Sequence, residues 1–218
     1  MHRLLFEKKG NAVYISHLDL MRTFQRAFLR AGLRVKHTEG FNPHVYLSIA
    51  LPLSIGAESD CELLDFELLS GASLEAVPER INACLPAGIR VLQCYEAMRK
   101  LKEIAWLDIA GTFAYNDSVT EELLDALRLF FAQESIVISK RSKKGMREFD
   151  VASCIEGIAF RREADNEIGV SLLASAQDPA LNPELLVDAL RQLKPELVPD
   201  FAKFRRLRVL DGQLQAFR

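Results

Sequence analysis

Ser16-His17-Leu18-Asp19-Leu20-Met21-Arg22-Thr23-Phe24-Gln25-Arg26-Ala27-Phe28-Leu29-Arg30-Ala31-Gly32 is the stretch that decides the fold. Ser16 can cap a helix, and Asp19, three residues on, stands where a capping box has its acid. Apolar residues at 20, 21, 24, 27, 28 and 31 repeat at the spacing of one buried helical face. Gly32 suits the C-terminal cap. Upstream, Arg3-Leu4-Leu5-Phe6 and Ala12-Val13-Tyr14-Ile15 are short apolar runs on either side of a turn signal, Glu7-Lys8-Lys9-Gly10-Asn11. Downstream, Leu33-Arg34-Val35 is expected as a short or edge strand. Gly40-Phe41-Asn42-Pro43-His44 is a turn, because the residue before a proline avoids the helical region. Val45 to Leu51 is rich in β-formers, and Cys61 to Leu68 alternates as a strand with one wet face does. A helix over about 73–85, broken by Pro86-Ala87-Gly88, leads to a strand from Ile89 to Leu92. The order β-α-β-β-α-β is the split βαβ, or ferredoxin-like, motif.

The pattern then runs again. Residues 97–105 are expected as a linker or helical turn. Trp106 to Tyr115 is a strand, and Ser118-Val119-Thr120-Glu121 offers a capped helix start before the apolar face Leu123, Leu124, Leu127, Phe130 and Phe131. Strands are expected at 136–138 and 168–173, and the segment 149–162 is ambiguous. Asn182-Pro183-Glu184 starts a helix through about Leu193, with cap, proline and first-turn acid in favoured places. Phe204 to Leu210 can close the sheet. The expectation is an α+β chain of two tandem ferredoxin-like (split βαβ) units with antiparallel sheets, at 1–96 and 106–218, joined by 97–105.

The 218 residues are 49% apolar and 27% charged, which excludes a disordered tail, a collagen-like chain and a coiled-coil rod. No run approaches the ~20 apolar residues of a membrane span. The start, Met1-His2-Arg3-Leu4-Leu5-Phe6-Glu7, lacks the apolar core of a signal peptide, so a cytoplasmic location without membrane contact is expected. Cys61, Cys84, Cys94 and Cys154 form no C-x-x-C, against a zinc ribbon, a thioredoxin-type motif or a Cys-held iron–sulfur cluster. Free thiols, with no metal and no cofactor, are the expectation.

The net charge of −2 is unevenly placed. Residues 1–50 carry eight Lys/Arg against three acids, and residues 51–80 carry seven acids against Arg80 alone. A locally basic face can attract an anion on a near-neutral protein; equally, the two segments can pair with each other across one sheet. Three groups could carry chemistry. His17 and Asp19 lie in the first turn of the helix, with Arg22, Arg26 and Arg30 at i, i+4 and i+8; like charges at that spacing repel, and an acid or an anionic ligand would offset this. Asn42 and His44 lie at a loop-to-strand junction, with His37 and Tyr46 nearby. If the two regions met, His17, Asp19, Arg22, Arg26, Asn42 and His44 would form one ligand surface. The third group is Lys140, Arg141, Lys143, Lys144 and Arg147, a loop able to track a phosphate backbone.

Phe6, Lys8-Lys9-Gly10, Ile15-Ser16-His17-Leu18-Asp19-Leu20-Met21-Arg22, Arg26, Arg30-Ala31-Gly32-Leu33, Glu39-Gly40-Phe41-Asn42-Pro43-His44, Leu51-Pro52-Leu53, Gly56 and Glu58-Ser59 together closely resemble one bacterial family. It is the radical SAM-associated family of unknown function, a domain fused to, or encoded beside, radical SAM proteins. The resemblance is dense over residues 3–68, and Lys140 to Asp150 and Asn182-Pro183-Glu184 fit the second half. The family often has proline and a basic residue after the histidine, where this chain has Val45 and Tyr46. The resemblance implies work beside a radical SAM protein, in a setting concerned with RNA (tRNA or rRNA). No C-x-x-x-C-x-x-C occurs here, so the chain would be an accessory RNA-binding or substrate-presenting partner, non-catalytic and without the cluster. Two alternatives stay open. The two-unit plan resembles the CRISPR repeat-processing endoribonucleases, which would make the chain a metal-independent nuclease using His17, His44 or Tyr46. The other is a protein-interaction module with no nucleic-acid role.

Overall fold

Leu4 and Phe6 are wholly buried, and the alternation around them makes a strand, β1 (His2–Lys8). A computed structural model describes residues 1–70, 72–142 and 145–218. Contacts divide the chain into two units, Met1–Glu103 with Arg218, and Ile104–Phe217.

In the first unit the run Ala12 to Tyr14 belongs to a 3₁₀ turn, Gly10–Tyr14, which buries Ala12 and Val13. The helix α1 (His17–Arg30) then begins as the capping pattern predicts. Ser16 Oγ accepts the Asp19 N–H at 3.2 Å and donates to Asp19 Oδ2 at 2.7 Å. Leu20, Phe24, Ala27 and Phe28 form its buried face. Gly32, at φ +61°, turns the chain, and the Leu33 N–H reaches back to the Phe28 carbonyl at 3.1 Å. Ser16→Ala should cost about 1 kcal/mol through loss of this cap, read as a shift in denaturant midpoint; a loss below about 0.3 kcal/mol would show that water replaces the hydroxyl.

The remaining elements are β2 (Arg34–Val35), β3 (Leu47–Ile49), β4 (Glu58–Phe66), β5 (Leu68–Ser70), α2 (Val77–Asn82) and β6 (Ile89–Glu96). The sheet order is β3-β4-β1-β6, with every pairing antiparallel. β2 and β5 form a separate pair. Phe6 meets Phe24 edge-on and Phe28 meets Phe66, with centroids 4.8 Å apart in each pair, so α1 is packed on this sheet by aromatic contacts. Two expectations are corrected. The strand expected from Val45 to Leu51 is only three residues long. The helix expected over 73–85 is a 3₁₀ turn, Leu74–Ala76, followed by the short α2. Asn82 ends it by turning its amide to the Val91 backbone, donating to the carbonyl and accepting the N–H at 2.8 Å each.

The second unit contains β7 (Ile104–Ala114), α3 (Glu121–Phe131), β8 (Val137–Ser142), β9 (Gly145–Asp150), β10 (Ile155–Ala164), β11 (Glu167–Ser175), α4 (Glu184–Leu193) and β12 (Phe201–Asp211). Its order is β10-β11-β7-β12, again antiparallel. Thr120 caps α3, accepting the Leu123 N–H at 3.2 Å. Asn182 Oδ1 accepts the Glu184 N–H at 3.3 Å at the start of α4. The apolar run at 136–138 is not a strand of this sheet. It leads into β8, which forms a two-stranded hairpin with β9. The sheet strand beside β11 comes instead from the segment that was ambiguous in sequence. Ile138 and Phe149 are buried while Val137, Arg141 and Met146, on the opposite face, are exposed, so the hairpin has one buried face only. No helix among the described residues is long and apolar enough to cross a membrane.

Candidate functional site

The basic and acidic segments of the first unit do pair. Arg3 meets Asp65 at 2.6 Å, Lys9 meets Asp60 at 2.8 Å, and Lys36 meets Glu67 at 3.0 Å. Lys8 is buried and donates to the carbonyls of Val13 and Ile15 at 3.2 and 2.9 Å. Burial pushes its pKa down, against the pull of Glu62. Arg22 meets Asp19 at 3.1 Å. Hydrogen bonds from Ser16 and Arg22 hold the Asp19 carboxyl below its ordinary range. Of the eight Lys/Arg in residues 1–50, four are in ion pairs and Lys8 is held by carbonyls, which leaves Arg26, Arg30 and Arg34 with neither among the described residues. The field that remains is concentrated toward the end of α1.

A cleft of about 240 Å³ lies there. Its polar lining is Arg26, His37, His44 and Gln25. Its apolar wall is Leu29, Leu33, Val35 and Val45. The loop reaches this position because it is an antiparallel ribbon: His37 is bridged to Val45, Thr38 N–H donates to the His44 carbonyl, and Tyr46 N–H to the Lys36 carbonyl, at 2.8 Å each. The ribbon starts a few residues after Gly32 and so folds back beside the second half of α1. A carbonyl only accepts, so His37 Nδ1 donates to the Val35 carbonyl at 3.0 Å and His44 Nδ1 to the Asn42 carbonyl at 3.2 Å. Thr38 Oγ1 also lies 3.2 Å from His44 Nδ1 and accepts the His44 N–H. In both imidazoles Nε2 is the nitrogen left for a ligand.

The sequence-derived surface is therefore divided. Arg26 and His44 share the cleft. His17, Asp19, Arg22 and Asn42 are not part of its lining. His17 is nine residues before Arg26, about 13 Å along the axis at ~1.5 Å per residue. The loop meets the second half of the helix rather than its start. Sequence reasoning placed His37 near this group without counting it in the surface; its closeness to His44 across a turn was the available signal.

The basic hairpin is also divided. Lys140 lies opposite Arg147, and Arg141 opposite Met146, so the first pair projects from one face and Arg141 from the other. Lys140 Nζ sits 4.6 Å from the Phe149 ring centroid. Lys143 and Lys144 lie outside the described residues. Gln192 of α4 clamps β8 through both backbone groups of Ser139, at 2.9 and 3.1 Å. Asp150 closes the base, accepting from Ile136 N–H at 2.9 Å, Ser135 Oγ at 3.0 Å and Ala152 N–H at 3.1 Å. Partial burial pushes its carboxyl up, but these donors outweigh it and hold the pKa below the ordinary value. Such a group stabilises the fold above the unfolded carboxylate pKa of ~3.9 and loses that contribution as pH falls through the lower folded value. Between pH 7 and pH 3, wild-type stability should therefore fall further than that of Asp150→Asn, read from denaturant midpoints. Equal falls would show that these donors do not favour the ionised form.

The four cysteines are free thiols, Cys154 buried and the others half-buried. Burial raises the Cys94 thiol to about 12, which removes it as a nucleophile at neutral pH.

No curated protein matches the sequence. The fold is similar to that of a chain in the crystal structure of a Cbf5-Nop10-Gar1 complex, at 10% identity and a TM-score of 0.55 over 98% of this chain and 50% of that one. It is likewise similar to a chain in the structure of an H/ACA RNP bound to a substrate RNA containing 2'-deoxyuridine, at 10% identity and a TM-score of 0.51 over 98% and 48%. The chain thus spans about half the length of these structural relatives, and the likeness is one of fold alone. In sequence, a family model matches residues 2–183, and the chain belongs to that family, described as uncharacterized protein conserved in bacteria (DUF2344).

Proposed function

We propose that this chain is an accessory RNA-binding or substrate-presenting partner of a radical SAM modification enzyme. Each unit is read as a ferredoxin-like fold: if its four sheet strands are numbered along the chain, both run in the order 4-1-3-2, as in a split βαβ motif. The observation that carries the RNA reading is the cleft, where Arg26 is joined by two imidazoles and no carboxylate. The basic hairpin adds a second cationic surface. The fold likeness to a chain of an RNA-bound particle agrees with this reading, and the radical SAM partner comes from the residues resembling that family.

Affinity purification from cells, with bound RNA sequenced and bound proteins identified, tests both halves. RNA and a radical SAM protein are expected together; a protein partner without RNA would favour an interaction module. In vitro, RNA affinity should fall with salt at a log–log slope of ~0.7 per phosphate contact on single strands. Replacing Lys140, Arg141, Lys143, Lys144 and Arg147 with serine should flatten the slope. Arg26→Ala and His44→Ala should each weaken binding ~10-fold or more, the scale of a hydrogen bond to a charged group. An unchanged slope and unchanged affinities would reject these contacts.

One observation favours the nuclease alternative: His37 and His44 line the same cleft, each with Nδ1 committed to a carbonyl. An acid–base pair needs that arrangement. In that case His44→Ala would leave binding intact and lower cleavage by ~100-fold or more.

A further inference from the structure

We infer that the cleft beside the second half of α1 is a pocket for one unpaired nucleotide, with the phosphate at Arg26, His37 and His44 and the base against Leu29 and Val35. This deepens the RNA-binding reading and rests on it. At about 240 Å³ the cleft is smaller than the pockets of drug-sized ligands, so it suits one ring system rather than an extended cofactor. Its two zones differ in chemistry. One holds a guanidinium and two imidazoles whose Nε2, when the ring is protonated, donates to a phosphate oxygen. The other is aliphatic and suits the face of a base. A base within a duplex is stacked and paired, so only an unpaired nucleotide can present its face and its own phosphate to so small a site. Phe41, between His37 and His44 on the same loop, is fully exposed, at 110% of its reference area. An exposed phenyl ring is a platform on which a neighbouring base can stack.

The test titrates the full chain with uridine 5′-monophosphate, inorganic phosphate and uridine, and separately with a single-stranded oligoribonucleotide and its duplex. The monophosphate should bind at least 10-fold tighter than phosphate or nucleoside alone, and should displace the single strand. The duplex should bind at least 10-fold more weakly than the single strand. Arg26→Ala and Leu29→Glu, both at exposed positions of α1, should each weaken monophosphate binding at least 10-fold with an unchanged circular dichroism spectrum. The proposal is overturned if inorganic phosphate binds as tightly as the nucleotide, if a phosphoserine peptide competes equally well, or if Leu29→Glu has no effect. If the single strand binds but neither the monophosphate nor the two variants affect it, this pocket is wrong while the RNA-binding reading stands. If neither RNA nor nucleotide binds, both fall.

Discussion

Asp65→Ala should destabilise the protein by about 3–5 kcal/mol, whereas the double replacement Arg3→Met with Asp65→Leu should cost far less. Arg3 is 1% exposed and Asp65 13%, on directly opposed positions of β1 and β4. The guanidinium forks onto the carboxylate, Nε to Oδ1 at 2.6 Å and Nη2 to Oδ2 at 3.0 Å, and Nη2 also donates to the Arg99 carbonyl at 3.1 Å. Removing the carboxylate alone takes from a buried cation the anion it is forked onto, and the loss of that charge pairing is the source of the destabilisation. Removing both charges leaves no buried ion without its counter-ion, and the bond to Arg99 is lost with them at roughly 1 kcal/mol. Chemical denaturation of the single and double variants checks this. A double variant as unstable as Asp65→Ala would show that lost packing, not a stranded charge, is the cause.

The second large effect is expected at Gly88. Its φ is +87°, and a Cβ there would lie on the Lys9 carbonyl oxygen and 2.9 Å from the Ala12 Cβ. The backbone cannot withdraw, because Lys9 N–H donates to the Gly88 carbonyl at 2.8 Å where β6 begins to pair with β1. Gly88→Ala adds a left-handed conformational penalty of about 1–2 kcal/mol to an overpacking cost of about 1–3 kcal/mol. Gly10→Ala is the control: φ is +54°, but nothing lies within 4 Å of the added Cβ, so only the conformational part should appear. Equal midpoint shifts for the two variants would dismiss the steric contribution.

Much of the element order could be read from local signals. α1 was legible at both ends, since Ser16, Asp19 and Gly32 act on backbone groups within a few residues. The same holds for β11 and for the start of α4 at Asn182. The Ala12–Ile15 run was harder, because apolar residues in a tight turn have no period to set them apart from a strand. The hairpin was missed because Ile136-Val137-Ile138 has the composition of a sheet strand. Only its pairing with 145–150, anchored by Gln192 and Asp150, shows otherwise.

The sequence by itself determined the α+β class, the helix caps and the residue types of the site, because these depend on hydrophobic period and on hydrogen bonds that span three or four residues. Tertiary structure alone decided which charges are left over and where the histidine loop lies. Arg3, Lys9 and Lys36 are matched by Asp65, Asp60 and Glu67, acids about 30 to 60 residues away in the chain. No local pattern reveals such pairs, since they exist only once β1, β4 and the segments beside them are in register. The same folding joins His44 to Arg26 rather than to His17. A ribbon leaving the end of a helix is carried back along that helix by its own backbone pairing, and the contact it makes is set by geometry rather than by residue type.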